Sequence, residues 1–390
     1  MKRIPVTTWG IALLALVLHL APRGGSGPAG RNRVPPGRWT VPPPTTPAPA
    51  VPRQRAGPIP NGPGVASVHV ASLAEYAPGR LAAAWYGGSR EGARDVAIFL
   101  STRTLGPSND WTPPVVIMDQ PTAQRELDRF VKKVGNPLIF SDGRGGLELL
   151  YVSIAVGGWS GSSLNWKSSP DGGRSWTPSR RLVLSPFFNI SELVKNQPVA
   201  LQGGGWMVPI YHELFGKFTE LLWLDAPGAG AFATRSRAFG GRTAFQPAVV
   251  PTGPEEALLL CRTAGAQTEV FGSLSGDGGL HWASPAPVGL PNPGSGLDAI
   301  RLSDGRILAA INDARSGRDS LRLVVSPDGG RTWQRGAIVA SEPRAEFSYP
   351  FLLQSSDGTV HLAFTWKRES IRYHEFNTAW LDASLTGGTP

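Results

Sequence analysis

An eight-residue turn that occurs three times constrains this chain more than any other feature. Ser169-Pro170-Asp171-Gly172-Gly173-Arg174-Ser175-Trp176, Ser275-Gly276-Asp277-Gly278-Gly279-Leu280-His281-Trp282 and Ser326-Pro327-Asp328-Gly329-Gly330-Arg331-Thr332-Trp333 all fit S-x-D-x-G-x-x-W. In such a turn the Asp carboxylate accepts backbone N–H groups of its own loop, the glycines supply positive φ, and the Trp offers a large face to bury against a neighbouring unit. These aspartates are therefore read as structural. The tryptophans stand 106 and 51 residues apart, so the wider gap holds two units, one of which has lost its turn near Leu224-Asp225-Ala226-Pro227. Trp111-Thr112-Pro113 reads as a worn copy ahead of them.

A simpler turn completes the repeat. Pro78-Gly79, Asp142-Gly143, Gly203-Gly204, Thr252-Gly253, Asp304-Gly305 and Asp357-Gly358 each separate two apolar runs, with the second glycines 64, 61, 49, 52 and 53 residues apart. Glycine between alternating apolar runs is a hairpin signal. Six hairpin-led units of about fifty residues suit blades of four strands, so the expected fold class is all-β, a six-bladed β-propeller. The sixth unit follows the plan but lacks the closing turn.

The formal charge of +9 would ordinarily raise nucleic acid as a partner, but its location argues otherwise. Residues 1–64 carry eight basic and no acidic residues, which leaves 30 basic against 29 acidic groups for the rest. The folded part is nearly neutral, and no nucleic-acid partner is expected. The same 64 residues hold 14 of the 37 prolines and read as a disordered linker over 23–64. Ahead of it, Lys2 and Arg3 precede the apolar stretch Trp9–Ala21, the layout of a signal peptide or signal anchor over 1–22. Its thirteen residues reach only ~20 Å as a helix, short of a ~30 Å hydrocarbon core. Cleavage is favoured over stable anchoring, with a membrane tether as the alternative; the chain is expected to be exported, periplasmic or extracellular. The propeller takes 65–390. The single cysteine, Cys261, lies in an apolar run and is expected to be a buried thiol.

Strands of a meander alternate direction, so within each unit the start of the first strand and the loop between the second and third share one end. That end collects His69, Lys195-Asn196-Gln197, Gln246, Asp298 and Tyr349 from strand starts. From the loops it collects Arg90-Glu91, Trp159, Tyr211-His212-Glu213, Arg262, Arg318 and Lys367-Arg368. Six dispersed histidines and one cysteine offer no metal-ligand cluster, and neither a phosphate-cradling loop nor a nucleophile elbow is present, so the expected chemistry needs no cofactor.

The three eight-residue turns resemble the Asp boxes of the sialidase superfamily over roughly residues 65–382, and Trp85-Tyr86-Gly87-Gly88 with Asn196-Gln197-Pro198 looks like its BNR repeat-like bacterial branch. The resemblance implies a six-bladed propeller with a site at the central mouth. There, three arginines clamp a sugar carboxylate, a tyrosine activated by a Glu is the nucleophile, and an Asp is the acid/base. Arginine suits the clamp because its planar fork grips a carboxylate through two hydrogen bonds. By position, Arg262 and Arg318 resemble two of the clamp arginines, Tyr349 the nucleophile, and Arg368 a further substrate-binding residue. The sequence departs at His69, which stands for the first arginine, and at Gln246, which stands for the Glu. Glu91 is then the candidate acid/base, Glu213 the candidate replacement for the activating Glu, and His69 a candidate proton carrier.

The resemblance implies an exported glycoside hydrolase of exo-α-sialidase type acting on an acidic carbohydrate. A polysaccharide lyase on uronate-containing glycans stays open because His69 or Tyr349 can abstract a proton beside a neutralised carboxylate. A non-catalytic glycan-binding propeller stays open because the acid/base set is altered.

Overall fold

The computed structural model describes residues 39–45, 50–106, 110–184, 189–224 and 233–386, and they form an all-β protein. The apolar runs flanking each Gly turn become adjacent antiparallel strands. In the first sheet Ser67–Ala77, Arg80–Gly88, Ala97–Thr104 and Val115–Met118 pair in sequence order. The second repeats this with Lys133–Ser141, Leu147–Ile154, Ser162–Ser169 and Arg180–Arg181. A nine-stranded sheet holds two such runs, Leu193–Arg237 and Thr243–Pro291, joined where Lys217 and Phe218 pair in parallel with Thr243 and Ala244. Asp298–Arg301, Ile307–Ile311, Ser320–Ser326 and Gln334–Ser341 make the next four-stranded sheet.

Leading strands pack against leading strands. Ser67–Ala77 touches both Lys133–Ser141 and Phe347–Gln354, Lys133–Ser141 touches Leu193–Val194, Thr243–Pro251 touches Val199–Ala200 and Asp298–Arg301, and Asp298–Arg301 touches Phe347–Gln354. Apolar side chains fill the spaces between adjacent sheets, and each box tryptophan joins such a cluster: Trp176 between the first two sheets, Trp282 within the nine-stranded one, Trp333 between the nine-stranded sheet and its own. The box aspartates act as read from sequence. Asp328 accepts Arg331 N–H at 3.0 Å and Thr332 N–H at 2.9 Å, and Asp171 accepts the corresponding pair in its own turn. Residues 225–227, where the turn was read as lost, lie outside the described residues. Cys261 is buried as expected, its sulfur 3.2 Å from Thr219 Oγ1.

The expected linker over 23–64 needs correction where it is described. Gln54–Ile59 is a strand, pairing in six consecutive registers with Ser370–Phe376, and so supplies the fourth strand of the last sheet, whose other members are Phe347–Gln354 and Val360–Trp366. The last repeat has only three strands of its own, and a bare edge leaves N–H and C=O groups unpaired; the N-terminal segment covers it. Further upstream, Trp39 is fully buried and stacks on Trp223 at 6.0 Å, while Trp39, Thr40 and Thr45 donate backbone hydrogen bonds to Pro254, Ala200 and Ser303. Pro42, Pro43 and Pro44 suit a segment outside a ladder, because proline has no N–H to donate to one. Residues 1–38, with the whole of the signal segment, lie outside the described residues. Among the described residues, no helix is long and apolar enough to cross a membrane.

Candidate active site

A repeated defect in the leading strands aims side chains at one end of the sheets. Pairing with the second strand slips between His69 and Ser72, Gly135 and Leu138, Phe245 and Ala248, and Ser348 and Phe351. At each slip a non-glycine residue takes a left-handed conformation: Val70 (φ 50°), Asn136 (43°), Gln246 (53°) and Tyr349 (52°). Bulges re-aim side chains in this way, and left-handed backbone at such residues persists only where the surroundings hold it. In three of the four the next residue is proline, which suits a position whose N–H has left the ladder.

Around these bulges two guanidinium groups meet. Arg262 Nη2 and Arg318 Nη2 both donate to the Gly294 carbonyl, the second at 3.4 Å. Arg262 also donates from Nη1 to Gln246 Oε1 at 3.1 Å and lies over the Phe245 ring at 4.6 Å. Two residues on, a methyl group built on Gly296 would stand 3.1 Å from Gln246 Oε1 and 3.2 Å from the Tyr349 ring. A side chain at this position would crowd Gln246 and Tyr349, so glycine suits the close approach there.

On the other side of Arg318 lies an alternating chain of charges. Glu346 Oε1 is 3.4 Å from Arg318 Nη1, and Glu346 also receives Arg368 through Nε at 2.8 Å and Nη2 at 3.1 Å. Arg368 Nη1 reaches on to Glu91, whose other oxygen is 3.4 Å from the Tyr86 hydroxyl. Burial pushes the Glu346 carboxyl up, but the Arg368 and Ser348 hydrogen bonds and the Arg368 charge outweigh it and hold it at about 2. For Glu91 too, burial is outweighed, here by His69 and Arg368, and the carboxyl lies below its ordinary value. Both acids are carboxylates at neutral pH.

His69 is buried with its ring edge-on to Tyr349, centroids 4.7 Å apart, and its Nδ1 3.1 Å from Thr365 Oγ1. Burial, reinforced by Arg368, lowers its pKa to about 4, so the imidazole is neutral at pH 7. Gln246 Nε2 donates to the Tyr211 hydroxyl at 3.0 Å, and burial raises that phenol well above its ordinary value.

The structure thus brings together six of the seven residues singled out from sequence. Glu213 stands apart: its N–H bonds Ser191 Oγ at 2.8 Å and its carboxylate lies 3.9 Å from Lys217, with no contact to Tyr349. The preceding His212 stacks on Phe218 at 4.6 Å, and Lys217, four residues on, draws the Glu213 charge. Glu346, Thr365 and Asn136 were not expected. Glu346 is three residues ahead of Tyr349, and the recurrence of Asn136-Pro137, Gln246-Pro247 and Tyr349-Pro350 was a legible signal for the bulges. Among the described residues no three His, Cys, Asp or Glu side chains gather as a metal-ligand set.

The profile of the BNR repeat-like domain matches residues 79–362. The chain belongs to this family. Solved sialidases share the fold of this BNR repeat-like protein. It superposes on the Hadza microbial sialidase Hz136 with a TM-score of 0.65 at 17% identity, covering 79% of this chain and 65% of that one, so it spans just under two thirds of that sialidase. The Ruminococcus gnavus intramolecular trans-sialidase gives 0.64 at 14% identity, over 82% of this chain and 96% of the other. A Dyadobacter fermentans protein described as of unknown function gives 0.65 at 14%, over 83% and 99%. Likeness at such identities speaks to the fold. No curated protein matches the sequence.

Proposed function

We propose that this BNR repeat-like protein is a six-bladed propeller and a sialidase-like glycoside hydrolase of exo-acting type, its substrate an acidic sugar. The cyclic packing of leading strands, from Ser67–Ala77 round to Phe347–Gln354 and back, supports the six-bladed reading. One observation carries the functional reading: Arg262 and Arg318 converge on the Gly294 carbonyl with Tyr349 across Gly296. A sugar carboxylate in place of that carbonyl would receive both guanidinium groups. A phenol suits a nucleophile that must approach an anionic sugar, because a carboxylate would be repelled.

The proton accounting then assigns the remaining groups. Tyr349 gives its hydroxyl proton to neutral His69 as its oxygen bonds the anomeric carbon; the glycosidic C–O bond breaks, and Glu91, protonated, delivers a proton to the departing oxygen. Glu91 as carboxylate next takes a proton from water, whose oxygen displaces Tyr349, and His69 returns the phenol proton. His69 must start neutral and Glu91 protonated, so turnover is expected to peak in acid solution near the histidine's pKa of about 4.

Release of a fluorogenic aglycone from sialosides, and from other acidic glycosides, tests this. Parent protein is expected to turn over at least one of them, and Tyr349→Phe to lose activity by ~10²-fold or more. A Tyr349→Phe variant as active as the parent refutes it. His69, held neutral beside Tyr349, favours a lyase as the second reading; unsaturated uronate products with a new ultraviolet band identify that outcome. Binding of acidic glycans with no turnover identifies a lectin-like protein. The sequence of residues 1–22 supports export, with the segment as a possible membrane tether; cell fractionation after expression in a bacterial host decides between exported and cytoplasmic protein.

A further inference from the structure

The floor beneath Tyr349 is held by a lysine that no part of the proposed chemistry uses. Lys195 is 3% exposed, and its ammonium has three protons and three acceptors: Asn196 Oδ1 at 2.5 Å, Leu297 O at 2.8 Å and Pro350 O at 2.8 Å. The last is the carbonyl immediately after Tyr349. Its neighbour Asn196 donates in turn to Pro247 O at 2.8 Å, the carbonyl immediately after Gln246. One dipeptide therefore fastens both proline-following bulges that face the arginine pair. Asp298 fixes the same strand further along, accepting Leu352 N–H at 2.8 Å. The lysine stem also crowds the glycine between Tyr349 and Gln246, since a methyl group on Gly296 would lie 3.2 Å from Lys195 Cε.

Removing an ammonium from water is costly, and an apolar side chain of similar volume is commonly as stable in such a place. A buried lysine whose every proton is committed to backbone or amide oxygens of neighbouring strands serves geometry. Tyr349 needs that service, because its left-handed backbone is sparsely populated and relaxes unless held. We propose that Lys195 is a positioning residue for Tyr349, clamping the bulge through the Pro350 carbonyl so that the phenol meets its substrate in one orientation. The inference rests on the hydrolase reading for its kinetic consequence, and on the geometry alone for its structural one.

The test labels the full chain with 3-fluorotyrosine and follows the Tyr349 resonance, assigned among six tyrosines by its absence in Tyr349→Phe. In Lys195→Met the Tyr349 signal is expected to shift or split while the other five stay in place. Turnover of the acidic glycoside is expected to fall ~10²-fold in kcat with KM within about threefold, the signature of a misplaced reacting group. Lys195→Arg, which keeps charge and donors, is expected to bring back the parent resonance and most of kcat. If Lys195→Met does not fold, Asn196→Ala removes one acceptor and frees Pro247, and a smaller displacement of the same resonance is expected. A variant that melts earlier yet leaves the Tyr349 resonance unmoved overturns the proposal. If the parent turns over no glycoside, the hydrolase reading fails, and the resonance still decides the role of Lys195.

Discussion

Replacing Trp39 by Ala tests whether the N-terminal segment is part of the fold. The indole is fully buried, stacked on Trp223 at 6.0 Å with 17° between planes, and its edge would stand 2.8 Å from a methyl group built on Gly279 in the second box. Deleting a large buried aromatic typically costs about 3–5 kcal/mol in lost transfer energy and unfilled cavity. The ceiling here is the docking energy of the segment itself. Trp39–Thr45 is held by a few backbone bonds and by Arg301 donating to Pro42 O at 2.9 Å, so it can detach before the sheets unfold. With an unfolding entropy of roughly 2 cal/mol/K per residue over roughly 340 residues, a loss of up to about 3–5 kcal/mol corresponds to a fall in Tm of at most about 4–7 °C. Differential scanning fluorimetry and calorimetry on parent and variant give this directly. Detachment would also expose Trp223 and Trp282, shifting intrinsic fluorescence to the red before the main transition. A Tm within about 1 °C of the parent with unchanged fluorescence would show that the segment is not docked.

Other expectations follow from the electrostatics. Burial lowers His69, His212, His361 and His374 from 6.5 to about 4, so between those values the unfolded chain binds more protons and these four lose stability as pH is lowered, whereas Glu192 and Asp298, raised by burial to about 7 and about 6, oppose them; the four histidines outnumber the two acids, so urea midpoints at pH 7, 6, 5 and 4 should decline, and a rising series refutes this. Glu346, held at about 2, stabilises above its ordinary 4.5 and loses that contribution as pH falls through about 2. Its carboxylate is partly solvated, so Glu346→Gln is expected to cost only ~1–2 kcal/mol at pH 7, read from urea unfolding, with the difference closing near pH 2; a constant difference contradicts the assignment. Asp328→Ala strands the Arg331 and Thr332 N–H groups of the box and is expected to lower Tm at neutral pH, whereas an unchanged Tm would deny the box a structural role.

The repeat was legible because turn chemistry is local. Gly79 and Gly358 lie where positive φ demanded glycine, and Asp171 and Asp328 bond the N–H groups three and four residues on. Strand alternation placed Arg262, Arg318 and Tyr349 at one end, and the family resemblance singled them out from the other residues gathered there. Glu213 shows the limit of that logic: the right end of a strand pair does not say which way a loop side chain turns, and this one lies toward Lys217.

Residue types and spacing therefore determined the all-β class, the hairpin units and the end at which polar groups gather, since these depend on contacts within a few residues of one another. Only the tertiary structure decided that Gln54–Ile59 completes the last sheet, that Trp39 is buried, and that Glu346 sits between Arg318 and Arg368. These contacts join segments tens to hundreds of residues apart. Their partners are chosen by an edge left unpaired or a charge left unanswered once the strands have assembled, which no local pattern encodes.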